Sequence, residues 1–167
     1  MTIPLTLIEG PVGAGKSTYA LTLAHEHQGV HLNLDEWMVN LFAKDRPDDN
    51  FISWYAECKA RLIEQIWLVA QSLLAVDTPV ILELGLVSRA ERLRFYTQVA
   101  LDQPDQVLDV HILEPSREIR AERVKKRNAV GQGTYTMLVS EEVFALADSA
   151  WESPEADEIA EHNLVFL

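Results

Sequence analysis

The chain has a single cysteine, Cys58, which excludes an intrachain disulfide. Cys58 falls on the apolar face of a predicted helix and is expected in the core as a small hydrophobe, not as a reactive thiol. No apolar run is long enough to cross a bilayer, so no membrane partner is expected. Internal repeats and low-complexity tracts are missing as well. The N-terminus enters an apolar run almost at once, which leaves no room for a secretory signal, and the expectation is a cytoplasmic protein. Positive charge is scarce: 14 Lys and Arg stand against 26 Asp and Glu, for a net charge of −12. It is absent after Arg127, where eight acidic residues follow. Binding a long polyanion needs a basic surface, so the balance speaks against a nucleic acid partner. The histidines, His25, His27, His31, His111 and His162, show no metal-ligand spacing with carboxylates or with Cys58.

Against these absences stands one stretch, Gly10-Pro11-Val12-Gly13-Ala14-Gly15-Lys16-Ser17, followed by Thr18. It fits the phosphate-binding P-loop pattern at every fixed position. It also lies where that loop must lie, between a predicted strand over Ile3–Glu9 and a predicted helix over Thr18–His27. Glycines let the backbone curl so that several N–H groups face one phosphate chain. The positive end of the helix adds to that field. Lys16 is expected at the β/γ-phosphates, the Ser17 hydroxyl on Mg²⁺ and Thr18 at the α-phosphate. A dinucleotide fingerprint is excluded, because Thr18 stands where its third glycine belongs.

The 167 residues are 48% apolar with no break in composition, which suits one domain over 1–167 with a real core. Strand and helix alternate throughout. Strands are predicted over Val30–Leu34, Val80–Leu84, Val107–Leu113 and Leu164–Leu167, the last at an edge. Helices are predicted over Trp37–Ala43, Phe51–Ala75, Arg89–Leu101, Pro115–Asn128 and Ser140–Ala150. Asn50 or Asp49 is expected to cap the long helix, and Ser88-Arg89-Ala90-Glu91 reads as a capping box. A Gly-containing loop is expected from Val130 to Thr136. The alternation predicts an α/β fold of three layers, a parallel sheet with helices on both faces, and ligands at the carboxyl ends of the strands.

Asp35 ends the second predicted strand. Beside a P-loop, a carboxylate there could orient an acceptor hydroxyl and take its proton, or it could simply cap the next helix. Glu36 is a weaker candidate for solvent or metal. Glu83 puts a carboxylate at the end of an apolar strand, which is costly unless it is paired or serves a ligand. It could hold Mg²⁺, bind the acceptor, or pair with Arg89 or Arg92; Arg89 could itself bind the acceptor. Trp37 and Trp54 could wall the acceptor site or lie in the core. Arg117, Arg120, Arg123 and Arg127 share one helix face, where like charges call for something negative opposite. Transferring phosphate would supply it, and arginine's planar fork suits phosphate.

Through Gly10–Thr18, Leu34-Asp35-Glu36-Trp37, Val80–Arg92 and the arginine helix to Asn128, the chain resembles the P-loop kinases. It is similar to the small AAA-type ATP-binding group that includes chloramphenicol phosphotransferase, the zeta-toxin kinases and polynucleotide kinase domains. The resemblance implies a P-loop NTPase fold of the nucleoside-kinase kind, with ATP and Mg²⁺ as cofactors. It implies Asp35 as base and a mobile lid around 114–135 that brings Arg120, Arg123 or Arg127 to the phosphates. The implied activity is transfer of the ATP γ-phosphate to a hydroxyl of a small-molecule acceptor. A polynucleotide 5′-hydroxyl kinase and a nucleotide-binding regulatory module with slow hydrolysis are the rivals. The sequence leaves the acceptor and the oligomeric state open.

Overall fold

The first strand, β1 (Leu5–Glu9), is buried at every residue, as a strand flanked on both sides and covered on both faces must be. The structure, a computed structural model, describes residues 3–130 and 139–167. After β1 come α1 (Lys16–His27), β2 (Val30–Asn33), α2 (Leu34–Phe42), a 3-10 turn at Ala43–Asp45, and α3 (Phe51–Leu74). They are followed by β3 (Val80–Glu83), α4 (Arg89–Asp102), β4 (Leu108–Ile112), α5 (Arg117–Val130), α6 (Glu141–Ala150), α7 (Ala156–Glu161) and β5 (Asn163–Phe166). The sheet order is β2-β3-β1-β4-β5, and every pairing is parallel.

Successive side chains of a strand face opposite ways, and the core divides accordingly. Leu5 and Leu7 join one cluster with Leu62, Ile66 and Trp67 of α3 and Phe95 and Val99 of α4. Ile8 joins a second with Ala20, Leu23 and Ala24 of α1 and Leu113. The expected three layers are therefore present. Cys58 is buried in the first cluster, and Trp37 and Trp54 pack against it half-buried, which is the core reading of those tryptophans. Among the described residues no helix is long and apolar enough to cross a membrane.

The capping box forms as read: the Ser88 hydroxyl accepts from the Glu91 N–H, and the Glu91 carboxylate accepts from the Ser88 N–H at 3.0 Å. Ser140 caps α6 by accepting from the Val143 N–H. Asn50 does not cap with its side chain. It sits in the left-handed region at φ 59°, which asparagine tolerates, and its carbonyl accepts from Trp54 instead. α7 was not expected; six residues carry too little periodicity to be read as a helix. Residues 131–135 of the expected lid, and most of the loop from Val130 to Thr136, lie outside the described residues.

Because the strands are parallel, their carboxyl ends share one side of the sheet. That side gathers the P-loop after β1, Asn33 at the end of β2, Glu83 at the end of β3 and Leu113 after β4.

Candidate active site

The P-loop is held by backbone that only glycine allows. Gly13 has φ 78°, and a Cβ there would lie 2.7 Å from the Arg120 carbonyl oxygen. Gly15, at φ 98°, is the residue from which α1 starts. The loop therefore turns tightly and aims the α1 N-terminus at whatever it encloses, a ready anion site. The Lys16 ammonium donates to the carbonyls of Gly10 at 2.8 Å and Pro11 at 3.2 Å, so it spans the mouth of the loop. Thr18 is exposed on the first turn of α1.

Ser17 is tied to the end of β3. Its hydroxyl donates to Glu83 Oε1 at 2.9 Å. Glu83 is buried, and its other oxygen takes Asn33 Nδ2 at 3.0 Å and lies 3.0 Å from His31 Nε2. Arg89 and Arg92, the alternative partners read from the sequence, are not used. Arg89 pairs with Asp157, and its N–H donates to Glu152; Arg92 pairs with Glu158. Arg89 is thus turned towards α7 and does not converge with Glu83. A hydroxyl touching a carboxylate next to a phosphate loop suits Mg²⁺, which takes one or two protein oxygens and fills the rest with phosphate and water. Among the described residues no group of three or more His, Cys, Asp or Glu could enclose a metal without such outside oxygens.

The structure corrects the position of Asp35. β2 ends at Asn33, not at Asp35, and α2 begins one residue later. The cap is Asn33, whose Oδ1 accepts from the N–H groups of Asp35 at 2.9 Å and Glu36 at 3.2 Å. The capping role considered for Asp35 therefore belongs to Asn33, which also holds Glu83 through its other atom. Local sequence could not show this, because the second contact spans 50 residues. The Asp35 carboxyl makes no hydrogen bond among the described residues. It is exposed on its open side but crowded on the others. That crowding raises its pKa above the usual aspartate range, while Lys16 lowers it, Glu83 raises it, and Lys59 and Arg127 lower it.

The arginine face of α5 resolves into different duties. Arg120 is buried; it donates to the Val12 carbonyl at 3.2 Å, to the Pro115 carbonyl at 3.0 Å and to Asp148 at 2.6 Å. It fastens the loop to α5 and α6 and has little left for a phosphate. Arg117 also holds Asp148. Arg123 donates to the Ala14 carbonyl at 2.9 Å and lies against Gly15. Arg127 has a buried Nε with no partner among the described residues, and it acts on Asp35. An unpartnered buried donor is costly, so Arg127 is the arginine of α5 with capacity for a ligand; Arg89 Nε is likewise without a partner among the described residues.

Sequence reading missed Tyr55 and Lys59. They lie one turn apart on α3, where Tyr55 falls within the apolar spacing and Lys59 reads as an ordinary polar residue. The Lys59 ammonium donates to the Gly85 carbonyl at 2.7 Å and to Glu91 Oε1 at 2.6 Å. The Tyr55 hydroxyl is raised above its usual pKa by burial and by the charges of Asp35 and Glu91.

Glu9 was also missed. It is fully buried at the end of β1; Oε2 accepts from the Leu86 N–H at 3.0 Å, and Oε1 has no partner among the described residues. Burial pushes its pKa from 4.5 up to about 8, against the lowering effect of Lys16 and Lys59. The folded protein then keeps a proton that the unfolded chain has lost. The neutral carboxyl's contribution to stability is full below 4.5 and is lost as the pH rises towards 8. Glu9→Gln keeps an acceptor for Leu86 and carries no charge. Its melting temperature is expected to gain on the wild type as the pH rises from 4.5 to about 8. Parallel melting curves across that range would show that Glu9 is not the group that titrates.

A family model described as an AAA domain matches residues 5–154. No match was found by sequence among curated proteins. Among solved structures, a protein from Chloroflexus aurantiacus assigned as a kinase aligns with a TM-score of 0.72 at 18% identity, over 99% of this chain and 88% of that one. A sugar kinase from Janibacter sp. aligns with a TM-score of 0.64 at 15% identity, over 98% and 84%. A gluconokinase from Sinorhizobium meliloti aligns with a TM-score of 0.55 at 18% identity, over 99% and 82%. Such identities speak to the fold. With the P-loop built as described and the family model spanning most of its length, the chain belongs to the AAA domain family and has the fold of the P-loop kinases.

Proposed function

We propose that the protein is an ATP-dependent kinase that transfers the γ-phosphate of ATP to a hydroxyl of a small molecule. The observation that supports this most is the placing of Asp35. Its carboxyl is exposed, makes no hydrogen bond among the described residues, and feels the charge of the P-loop lysine, Lys16. A module that only binds or slowly hydrolyses nucleotide has no need of it. The sugar kinase and gluconokinase among the structural neighbours are in keeping with a small acceptor.

In this reading the backbone N–H groups of Gly10 to Thr18 bind the phosphate chain, and Lys16 leaves its carbonyls for the β/γ-phosphates. Ser17 would hold Mg²⁺ directly, with Glu83 behind it. When bound, the ion would offset negative charge on the β- and γ-phosphates. Asp35 orients the acceptor hydroxyl and takes its proton as the oxygen bonds to the γ-phosphorus. The bond to the β–γ bridging oxygen breaks, and ADP leaves. Arg127 steadies the charge on the moving group, Arg123 lies next to it, and Arg120 keeps the loop in place.

The test is a screen of hydroxyl compounds with labelled ATP. Turnover that rises sharply with one small acceptor supports the kinase. Slow hydrolysis that no acceptor changes would leave the regulatory module, and transfer only to a 5′-hydroxyl oligonucleotide would leave the polynucleotide kinase. Independently of the acceptor, Lys16→Ala is expected to weaken ATP binding by about tenfold or more, since a hydrogen bond to a charged group contributes about 1.5–3 kcal/mol. The fold should survive, because Lys16 bonds only loop carbonyls. Equal affinities by calorimetry would remove the loop from the nucleotide site.

A further inference from the structure

Resting on the kinase reading, we propose that Asn33 is a positioning residue that fastens the start of α2, and with it the Asp35 carboxyl, to the phosphate loop. Three side chains make the link, and each contact in it is a hydrogen bond. The Ser17 hydroxyl, on the first turn of α1, donates to Glu83 Oε1 at 2.9 Å. Glu83 Oε2 accepts from Asn33 Nδ2 at 3.0 Å. Asn33 Oδ1 accepts from the N–H groups of Asp35 at 2.9 Å and Glu36 at 3.2 Å. The link thus runs from the residue after Lys16 to the backbone of Asp35.

The residue type at this position points to more than a cap. Capping alone asks for an acceptor, and serine, aspartate and asparagine supply one about equally well. Of these three, only the carboxamide also offers an N–H donor to a carboxylate while its oxygen caps. Asn33 lies opposite Glu83 in the register of β2 with β3, so the sheet itself brings the two side chains together. Both are buried. Withdrawing a carboxylate and an amide from water is costly unless each keeps its partners, and the link supplies them. The Asp35 carboxyl, by contrast, makes no hydrogen bond among the described residues, so its backbone places it. Leu34 and Met38 bury α2 in the core. Apolar packing is non-directional, which leaves the bond to Asn33 as the directional constraint at residue 35.

Phosphoryl transfer depends on that placement. The loop holds the phosphates and Asp35 orients the acceptor hydroxyl, so the two helix starts must keep a fixed separation. A displacement of about 1 Å can cost about a hundredfold in rate. Two variants separate the link from the cap. Asn33→Ser keeps an acceptor for the cap and loses the donor to Glu83. Asn33→Asp keeps the size as well and sets a second carboxylate against Glu83. In both, Glu83 still accepts from Ser17 and lies against His31, so the loop should bind ATP as before.

The test measures ATP turnover by wild type, Asn33→Ser, Asn33→Asp, Asp35→Asn and the double variant of Asn33→Ser with Asp35→Asn. The acceptor is the hydroxyl compound that gives the highest turnover in the labelled-ATP screen. In both Asn33 variants kcat should fall by about ten- to a hundredfold. ATP affinity by calorimetry should be unchanged, and the melting temperature should stay within a few degrees of wild type, because the cap is kept. The double variant should be no slower than Asp35→Asn alone, since the link acts through the carboxyl already removed. Asn33→Asp has the native size and still reads the link if Asn33→Ser folds poorly. Wild-type kcat in the folded Asn33 variants would overturn the role, and so would losses that multiply in the double variant. A fall in ATP affinity that matches the fall in rate would overturn it too, by placing the effect of Asn33 in the loop. Each of these results leaves the kinase standing. If no hydroxyl compound raises wild-type turnover, the kinase reading falls and the role of Asn33 falls with it.

Discussion

Asp35→Asn is expected to lower the rate of phosphoryl transfer by about 10²–10⁴, the range of a positioned general base. Melting temperature and ATP affinity should stay close to wild type. The structure explains why these separate. The helix start is secured by the Asn33 side chain on the backbone N–H groups of residues 35 and 36, and the substitution touches neither. The lost carboxyl has no internal bond to leave broken. Where the transition state is loose, the carboxylate acts mainly by orienting the hydroxyl, which favours the lower end of the range. The pH profile is a second reading. Crowding raises the Asp35 pKa, so wild-type transfer should rise with pH through that raised value, while the residual rate of Asp35→Asn should lack that limb. A large drop in melting temperature with transfer intact would make Asp35 structural, and Glu83 would become the group to examine at the acceptor.

The P-loop and the order of elements were legible because both are local signals. Eight consecutive residues carry the loop, and a strand or helix shows in its own period. Ser88 and Glu91 could be read as a cap for the same reason. What failed to show is what only a distant partner decides. The residue that caps α2 is Asn33, because Glu83, adjacent in the sheet, fixes its side chain. Arg120 and Arg127 look alike in sequence; Arg120 meets Asp148 and Val12, and Arg127 meets no described partner. Lys59 reads as one more polar residue on a long helix until Gly85 and Glu91 close around it. Glu9 had a signal, a charge at the end of a mostly apolar strand, the same signal that singled out Glu83. It passed as the last residue of the predicted strand over Ile3–Glu9.

The second large effect is expected at Glu158. Glu158→Ala should destabilise the fold by about 3–5 kcal/mol, the range for removing one partner of a buried ion pair. The carboxylate meets Arg92 through Nε at 2.6 Å and Nη2 at 3.0 Å, and the Tyr96 hydroxyl donates to it at 3.3 Å. Both side chains of the pair are fully buried. Without Glu158 the Arg92 guanidinium keeps its charge in the core, over the Trp151 ring at 5.2 Å, with only the Val87 carbonyl to bond. In a domain of this size the melting temperature should fall on the order of 10 °C. Replacing both partners, Arg92→Met with Glu158→Leu, should recover most of that loss, because an apolar pair of similar volume leaves no charge stranded. If the double variant melts as low as Glu158→Ala, the defect lies in packing and not in the orphaned charge. The consequence for the site runs through α4. Arg92 follows Glu91, the carboxylate that holds Lys59, and the same helix start carries Ser88 and the turn at Gly85. A chain that loses Glu158 but still folds at low temperature should therefore bind ATP normally through the P-loop, which α7 does not touch. Loss of that affinity would mean that the sheet, not the end of α4, had given way.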